Sequence, residues 1–394
     1  MKKSLVPLAL GTFGLGMAEF VMMSILPYVA QEMNVSIPAA GHLISAYALG
    51  VCVGAPVMLL SARKFPLKKV LFLLILIYAL GNTLAGFSHN YWFMLGMRFI
   101  SGLPHGAFFG VGSIVAEKLA DEGKSSSALA FMVSGMTIAN LIGIPLGAYI
   151  CNHFSWRLIF YVTGVWGAVN LFFLLKWMPS IAPLPNNGLR GQFNFLKKMD
   201  PWLILLATGL GNCGIFCFYC YVSPFLTGMS GFTAADMTWI MVLSGVSMVL
   251  GNIIGGKLSD RFRSASVVGF AYSLAAMALV VLFLLPSISF LAIVMMCICT
   301  SCLFMVGAPN QLLVLQNSRG GEMMGAAMIQ IAFNLGNALG SYSGGLPIDN
   351  NVGVNFSSII GMGYLVIAIF IVSILVRRQK SKEQLMVTPI LMKS

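Results

Sequence analysis

The chain has 394 residues, 58% of them hydrophobic and only 9% charged, with a mean hydropathy of +0.90. Soluble domains carry about 25% charged residues, so a soluble globular protein is excluded and a polytopic membrane protein is expected. The formal net charge of +12 does not point to a nucleic-acid binder, because the basic residues sit in short connectors between apolar runs.

A membrane span needs about 20 apolar residues. In chain order the sequence predicts twelve: 4–30, 41–61, 69–88, 91–117, 125–151, 156–178, 201–227, 235–257, 265–285, 288–316, 322–346 and 353–376. The expected fold is therefore an all-α membrane protein. The first apolar run is about 25 residues long, more than the core of a cleavable signal peptide. The longest polar interruption, 179–200, holds Pro179, Pro183 and Pro185 with Arg190, Lys197 and Lys198. It reads as a linker between an N-terminal bundle of six helices (1–178) and a C-terminal one (201–376), followed by a tail (377–394). Gly188–Lys198 is expected as a short amphipathic helix on the membrane surface.

Lys and Arg set the orientation. With the N-terminus inside, 21 of the 23 fall in the tails and inner connectors; Arg98 and Arg157 are the exceptions. This is a positive-inside pattern with both termini cytoplasmic.

The two halves are related. Ala9, Gly11, Gly16 and Phe20 recur as Ala207, Gly209, Gly214 and Phe218, and Pro27 matches Pro224. Asn140-Leu141 and Leu146-Gly147-x-Tyr149 resemble Asn334-Leu335 and Leu339-Gly340-x-Tyr342. Two parallel six-helix repeats are one layout of secondary transporters. Stripes of small residues, such as Gly102, Gly106 and Gly110 in span 4, let helices approach closely. They serve packing, or sliding during a conformational switch.

Glu19 is the only ionisable residue in the run Leu5–Ala30. A charge at a bilayer centre costs roughly 2.5–3.5 kcal/mol on insertion scales, and such residues often mark ion or proton paths. Glu19 and His105 each lie about 14 residues into antiparallel spans, roughly 21 Å at 1.5 Å per residue, so both should sit near mid-membrane. Histidine titrates near physiological pH. Arg98 is two turns from His105 on the same face; it serves the carboxylate, or anchors to backbone carbonyls or snorkels. The repeat places Cys217, Ile298 and Met305 opposite Glu19, Arg98 and His105, so coupling is expected in the N-half. The C-half offers Asn212, Phe216, Tyr219, Tyr221, Asn334 and Asn337 for substrate contact, with packing as the alternative. Cys217-x-x-Cys220 and Cys299-x-x-Cys302 read as packed thiols rather than metal or redox motifs. No Walker sequence and no metal-spaced cluster is present, so no cofactor is expected.

Four segments carry a family resemblance. Span 1 reads Gly16-Met-Ala-Glu19-Phe20 and Leu26-Pro27. Span 4 reads Arg98-x-x-x-Gly102-Leu-Pro104-His105-Gly106. Span 5 reads Gly143-Ile-Pro145-Leu-Gly147, and the connector after span 8 reads Gly256-x-x-x-Asp260-Arg261. The chain thus resembles the major facilitator superfamily, in particular drug/proton antiporters of the arabinose and sugar efflux permease type. Two departures stand out: the connector after span 2 (Ser61-Ala-Arg63-Lys64-Phe-Pro66) lacks an aspartate, and Ile144 separates the glycine and proline of the span-5 motif. The resemblance implies a secondary transporter of the inner membrane that exports a sugar or drug-like solute by proton antiport. An uptake carrier or uniporter is the alternative; an enzyme or receptor fits poorly. It implies Glu19, His105 and Arg98 in proton coupling, and Gly143, Pro145, Gly147, Gly256, Asp260 and Arg261 in gating. The expected partners are the solute, protons and the lipid bilayer, with no nucleic acid, around a monomer.

Overall fold

The structure, a computed structural model, describes residues 3–62, 65–121, 125–183, 193–318 and 321–391. The connector residues Arg63, Lys64, Lys124, Arg190 and Arg319, and the first part of the expected surface helix, lie outside them. The last part of that helix is a single 3-10 turn, Asn194–Lys197.

All the described secondary structure is helical. α1 (Val6–Glu32) and α2 (Ile37–Ala62) are joined by a short turn in which Asn34 takes φ 51, a conformation asparagine tolerates better than most residues. α3 is Leu67–Gly86, and α4 (Tyr91–Leu119) is capped by Asn90, whose side chain accepts from the Trp92 and Phe93 amides. α5 comprises Ser125–Ile138, a π turn Ala139–Gly143 and Ile144–His153. α6 is Trp156–Trp177. α7 is Met199–Tyr219 continued by Val222–Met229, and α8 is Met237–Arg261. α9 is Ser264–Leu284; α10 is Ser289–Met305 continued by Gly307–Asn317. α11 is Glu322–Asp349 and α12 is Phe356–Leu391.

Eleven of these are long and apolar enough to cross a membrane. The twelfth, α11, has 28 residues, about 42 Å at 1.5 Å per residue. Gln330, Asn334, Asn337, Ser341 and Ser343 make it the polar member of the set. The chain is an all-α multi-pass membrane protein.

The helices pack in two sets that repeat one pattern. In the first, α2 lies on α4, α3 on α4 and α6, and α1 on α5 and α6. In the second, α8 lies on α10, α9 on α10 and α12, and α7 on α11 and α12. The sets meet where α2 crosses α11 and where α5 crosses α8.

Glycines set the close crossings. A Cβ on Gly102 of α4 would stand 2.1 Å from the Tyr47 carbonyl oxygen of α2. One on Gly336 of α11 would stand 2.2 Å from the Gly209 carbonyl oxygen of α7. The first crossing brings Tyr47 to His105; the second brings Asn337 to Asn212. Backbone oxygens cannot step aside as flexible side chains do, and overpacking typically costs about 1–3 kcal/mol. Gly336→Val should therefore lower the melting temperature of the purified protein in detergent by several degrees. An unchanged melting curve would mean that α7 and α11 part easily.

The π turn has a local cause. Pro145 has no N–H to give the Leu141 carbonyl, and its ring crowds that carbonyl. The backbone widens by one residue per turn, so that the Ile144 N–H bonds the Ala139 oxygen, five residues back. This places Ile144, the residue that separates Gly143 from Pro145, at the end of the wide turn.

At the bundle end away from the termini, both seams are closed. Ser36 donates to Asp349 (3.0 Å), Ser341 to the Gly41 oxygen (2.7 Å) and Ser45 to the Ala338 oxygen (3.0 Å) between α2 and α11. Tyr28 donates to Asn152, which in turn donates to the Ala234 oxygen at 2.9 Å on the α8 side. The Glu32–Arg157 ion pair (2.8 Å) sits at the same end but within the first set. It is partly exposed, and such pairs contribute about 0–1 kcal/mol.

Candidate functional site

The site lies at mid-depth, where α1 passes between the two seams. Glu19 of α1 is buried, 7% exposed. Its Oε2 stands 3.8 Å from Nε2 of His105 on α4. Its Oε1 accepts a hydrogen bond of 3.1 Å from Nδ2 of Asn337 on α11. One carboxyl group therefore touches both six-helix sets.

Each partner is held from behind. His105 Nδ1 is 2.9 Å from the Tyr47 hydroxyl, which also lies 3.4 Å from the Leu15 oxygen. If the hydroxyl proton is given to Nδ1, the neutral imidazole carries its own proton on Nε2, facing Glu19. The Phe109 ring stacks on the imidazole at 5.4 Å. On the other side, Asn337 Oδ1 accepts from Asn212 Nδ2 at 2.9 Å, and that nitrogen also reaches the Phe333 oxygen at 3.5 Å. The result is a continuous line Tyr47–His105–Glu19–Asn337–Asn212 across the molecule.

Arg98 is fully buried and does not snorkel to a lipid interface. Its guanidinium lies 4.5 Å from the Tyr47 ring centroid and 5.9 Å from that of Phe160. Nε donates to the Leu43 oxygen at 3.4 Å, while both terminal nitrogens have no hydrogen-bond partner. Arg98 thus reaches the line through the aromatic face of Tyr47, a cation–π arrangement. Tyr47 was not among the residues expected from sequence. Its partners come from α1 and α4, so no spacing within span 2 announces it; the one signal is a phenol in an apolar span, whose hydroxyl needs a partner when buried.

The remaining expected residues separate into groups. Asn212 and Asn337 belong to the line. Phe216 lies 6.3 Å from Phe20, the neighbour of Glu19. Tyr219 bonds Ser244 of α8 at 3.1 Å, and Tyr221 donates to the Ser341 oxygen at 2.6 Å. Asn334 donates to the Gln330 oxygen of its own helix at 3.0 Å, and its Oδ1 has no partner. Gly143 and Gly147 of α5 face Met17 and Val21 of α1, with Pro145 between them. Asp260 and Arg261 are exposed at the end of α8, one turn beyond Gly256.

A buried carboxyl on α1, beside His105 of its own helix set and bonded to Asn337 of the other, with both seams shut at one end, has the layout of a membrane carrier. The comparisons with known proteins give its family. The Major Facilitator Superfamily model matches residues 8–341, and the chain belongs to that family of transporters; it is not an enzyme. It is similar to the putative transporter AraJ of Escherichia coli (strain K12), 45% identical over 356 residues and 90% of each chain. It is also similar to a chloramphenicol resistance protein of Streptomyces lividans, 26% identical over 93% of this chain and 94% of that one. Among solved structures it shares the fold of a bacterial homolog of the human lysosomal transporter Spinster. The TM-score is 0.76 at 15% identity, over 95% of this chain and 96% of that one. The chain is a transporter of a small solute.

Proposed function

We propose that this transporter exports a small organic solute, sugar- or drug-like, in exchange for protons. It works from the inner membrane as a monomer with both termini cytoplasmic. Residues 1–178 and 201–376 rock against each other about the linker 179–200 and expose the middle of α1 to each side in turn. The closed far end then faces outward. Glu19 carries the proton, His105 and Tyr47 tune its release, and Arg98 supplies positive charge behind them. The glycines and Pro145 of α5, with Gly256, Asp260 and Arg261, serve the gates.

The observation that carries this reading is the double engagement of Glu19, by His105 in one set and by Asn337 in the other. Protonation removes the negative charge that favours both contacts, so the state of this carboxyl bears on whether the sets hold together. The similarity to AraJ and to a chloramphenicol resistance protein agrees with a sugar- or drug-type solute. The test uses proteoliposomes of the wild-type chain, loaded with labelled L-arabinose or chloramphenicol at equal concentration on both sides. An imposed pH gradient should move solute uphill, against the direction of proton flow. Solute flux that follows only its own gradient, whatever the pH on either side, would make the protein a uniporter.

A further inference from the structure

At the end of the bundle that holds both termini, charge is divided unequally between the two sets. No Asp or Glu occurs in residues 33–116 or 123–199. α3, α6 and the linker after α6 therefore carry basic groups and no carboxylate of their own. In the second set the cations have acidic company. Asp200 of α7 pairs with Arg378 of α12 at 2.7 Å, and Asp260 stands next to Arg261 at the end of α8. The repeat makes the contrast direct. Leu258-Ser259-Asp260-Arg261 corresponds to Leu60-Ser61-Ala62-Arg63, with an alanine where the aspartate would be. In the first set Glu117, Asp121 and Glu122 belong to the end of α4 and the stretch after it, and α3 stands between α4 and α6.

The fold gathers the unmatched charge where α3 begins and α6 ends. Lys68, in the first turn of α3, donates to the Leu175 oxygen of α6 at 2.9 Å. An ammonium has three N–H groups, and this bond uses one while holding the side chain between the two helices. The Leu67 amide donates to the Ile181 oxygen at 3.0 Å, so the start of the linker lies against the same end of α3. Lys176, next to Leu175, is exposed, and its Nζ lies 5.4 Å from the Phe172 ring centroid. Phe173 and Trp177 stack beside it at 4.2 Å.

Farther along, both helices turn apolar side chains outward: Leu73 and Leu80 on α3, Val165 and Val169 on α6. Apolar flanks, then aromatic rings, then ammonium groups follow the order of layers in a phospholipid. Acyl chains meet the flanks, Trp sits at headgroup depth, and lysine meets phosphate. The headgroup type follows from charge. A zwitterionic lipid brings a cation of its own, for which neither helix has a carboxylate. An anionic lipid brings only the charge that the lysines lack, and such lipids attract basic groups next to a membrane span. We propose that the adjoining ends of α3 and α6 hold an anionic phospholipid, with Lys68 and Lys176 on its phosphate.

The test is lipid retention by the purified full chain in detergent, read by native mass spectrometry. Equal amounts of dioleoyl phosphatidylglycerol, phosphatidylethanolamine and phosphatidylcholine are offered together. The phosphatidylglycerol adduct should predominate. Lys68→Gln and Lys176→Gln should each weaken it about fivefold, the contribution of one lysine to binding an anionic surface. Lys68→Arg keeps the charge and should retain the lipid, which separates charge from any effect on the fold. Arg377→Gln, which removes an exposed cation of α12 in the second set, should retain it too. Excess inorganic phosphate should not displace the lipid, because its acyl chains share in the binding. The proposal is overturned if the three lipids are retained equally, or if either glutamine variant of the lysines holds phosphatidylglycerol as the wild type does. It is also overturned if Lys68→Arg or Arg377→Gln loses as much as Lys68→Gln. Displacement by phosphate alone would mean a site for a free anion, and would overturn it as well.

Discussion

In Glu19→Gln, uphill solute movement driven by a pH gradient falls to the passive rate, while solute exchange at equal pH continues. The substitution keeps the size of the side chain and an oxygen that accepts from Asn337, now at 3.1 Å. The amide nitrogen takes the place of Oε2 near His105, whose proton then sits on Nδ1, toward the Tyr47 hydroxyl, so that Nε2 accepts. The line from Tyr47 to Asn212 therefore survives in outline, and the fold with it. What is lost is the single proton that the carboxyl group takes up and releases. Coupling needs that exchange; movement of the solute down its own gradient does not. A fixed neutral side chain leaves the two sets free to rock with or without solute, which is facilitated diffusion. The measurement is the ratio of internal to external solute at steady state, with and without a gradient. A ratio above one that persists in Glu19→Gln would remove Glu19 from the coupling path and shift attention to His105.

Much of this site could be read from the chain before any coordinates. Glu19 was conspicuous because a carboxylate in an apolar span has a cost that packing alone does not explain. Equal depths in antiparallel spans put it level with His105, since 1.5 Å per residue fixes depth; that spans 1 and 4 are neighbours was implied only by the family resemblance. The small-residue stripes announced close helix crossings in both halves, but not which helices cross. The partnership with Asn337 was not legible. It depends on which face of α11 turns to α1, and that is decided where α2 crosses α11, by contacts such as Ser45 with the Ala338 oxygen. Tyr47 was missed for the same reason. The π turn was hidden at another level. Pro145 announces a disturbed helix, but a proline can kink a helix as well as widen it. The breaks of α7 at Cys220–Tyr221 and of α10 at Val306 likewise leave the apolar pattern uninterrupted.

Gly245→Leu should retain the fold and lose more than nine-tenths of transport. A Cβ on Gly245 would lie 2.4 Å from the Asn140 oxygen and 3.0 Å from the Leu141 Cα. The clash is with backbone, as severe as the one expected for Gly336→Val, but it falls in a different place. Gly336 is in the crossing of α7 and α11, within one set, and that contact has to persist throughout the transport cycle. Gly245 is in the crossing of α5 and α8, between the sets, and alternating access requires this contact to open. A side chain there therefore penalises one conformation rather than the folded state. With a penalty of about 3 kcal/mol, an even balance between conformations becomes more than a hundred to one. The variant would be held with the α5–α8 seam parted at the far end. Cysteines placed singly at Tyr28 and Asn152, half-buried partners at the closed end, should become more reactive to a membrane-impermeant maleimide added outside. The melting temperature should stay within a few degrees of wild type, in contrast to Gly336→Val. If both glycine variants melt alike, and neither changes the labelling at the far end, then α5 and α8 form a permanent contact. The moving boundary would then have to run elsewhere, along α2 and α11.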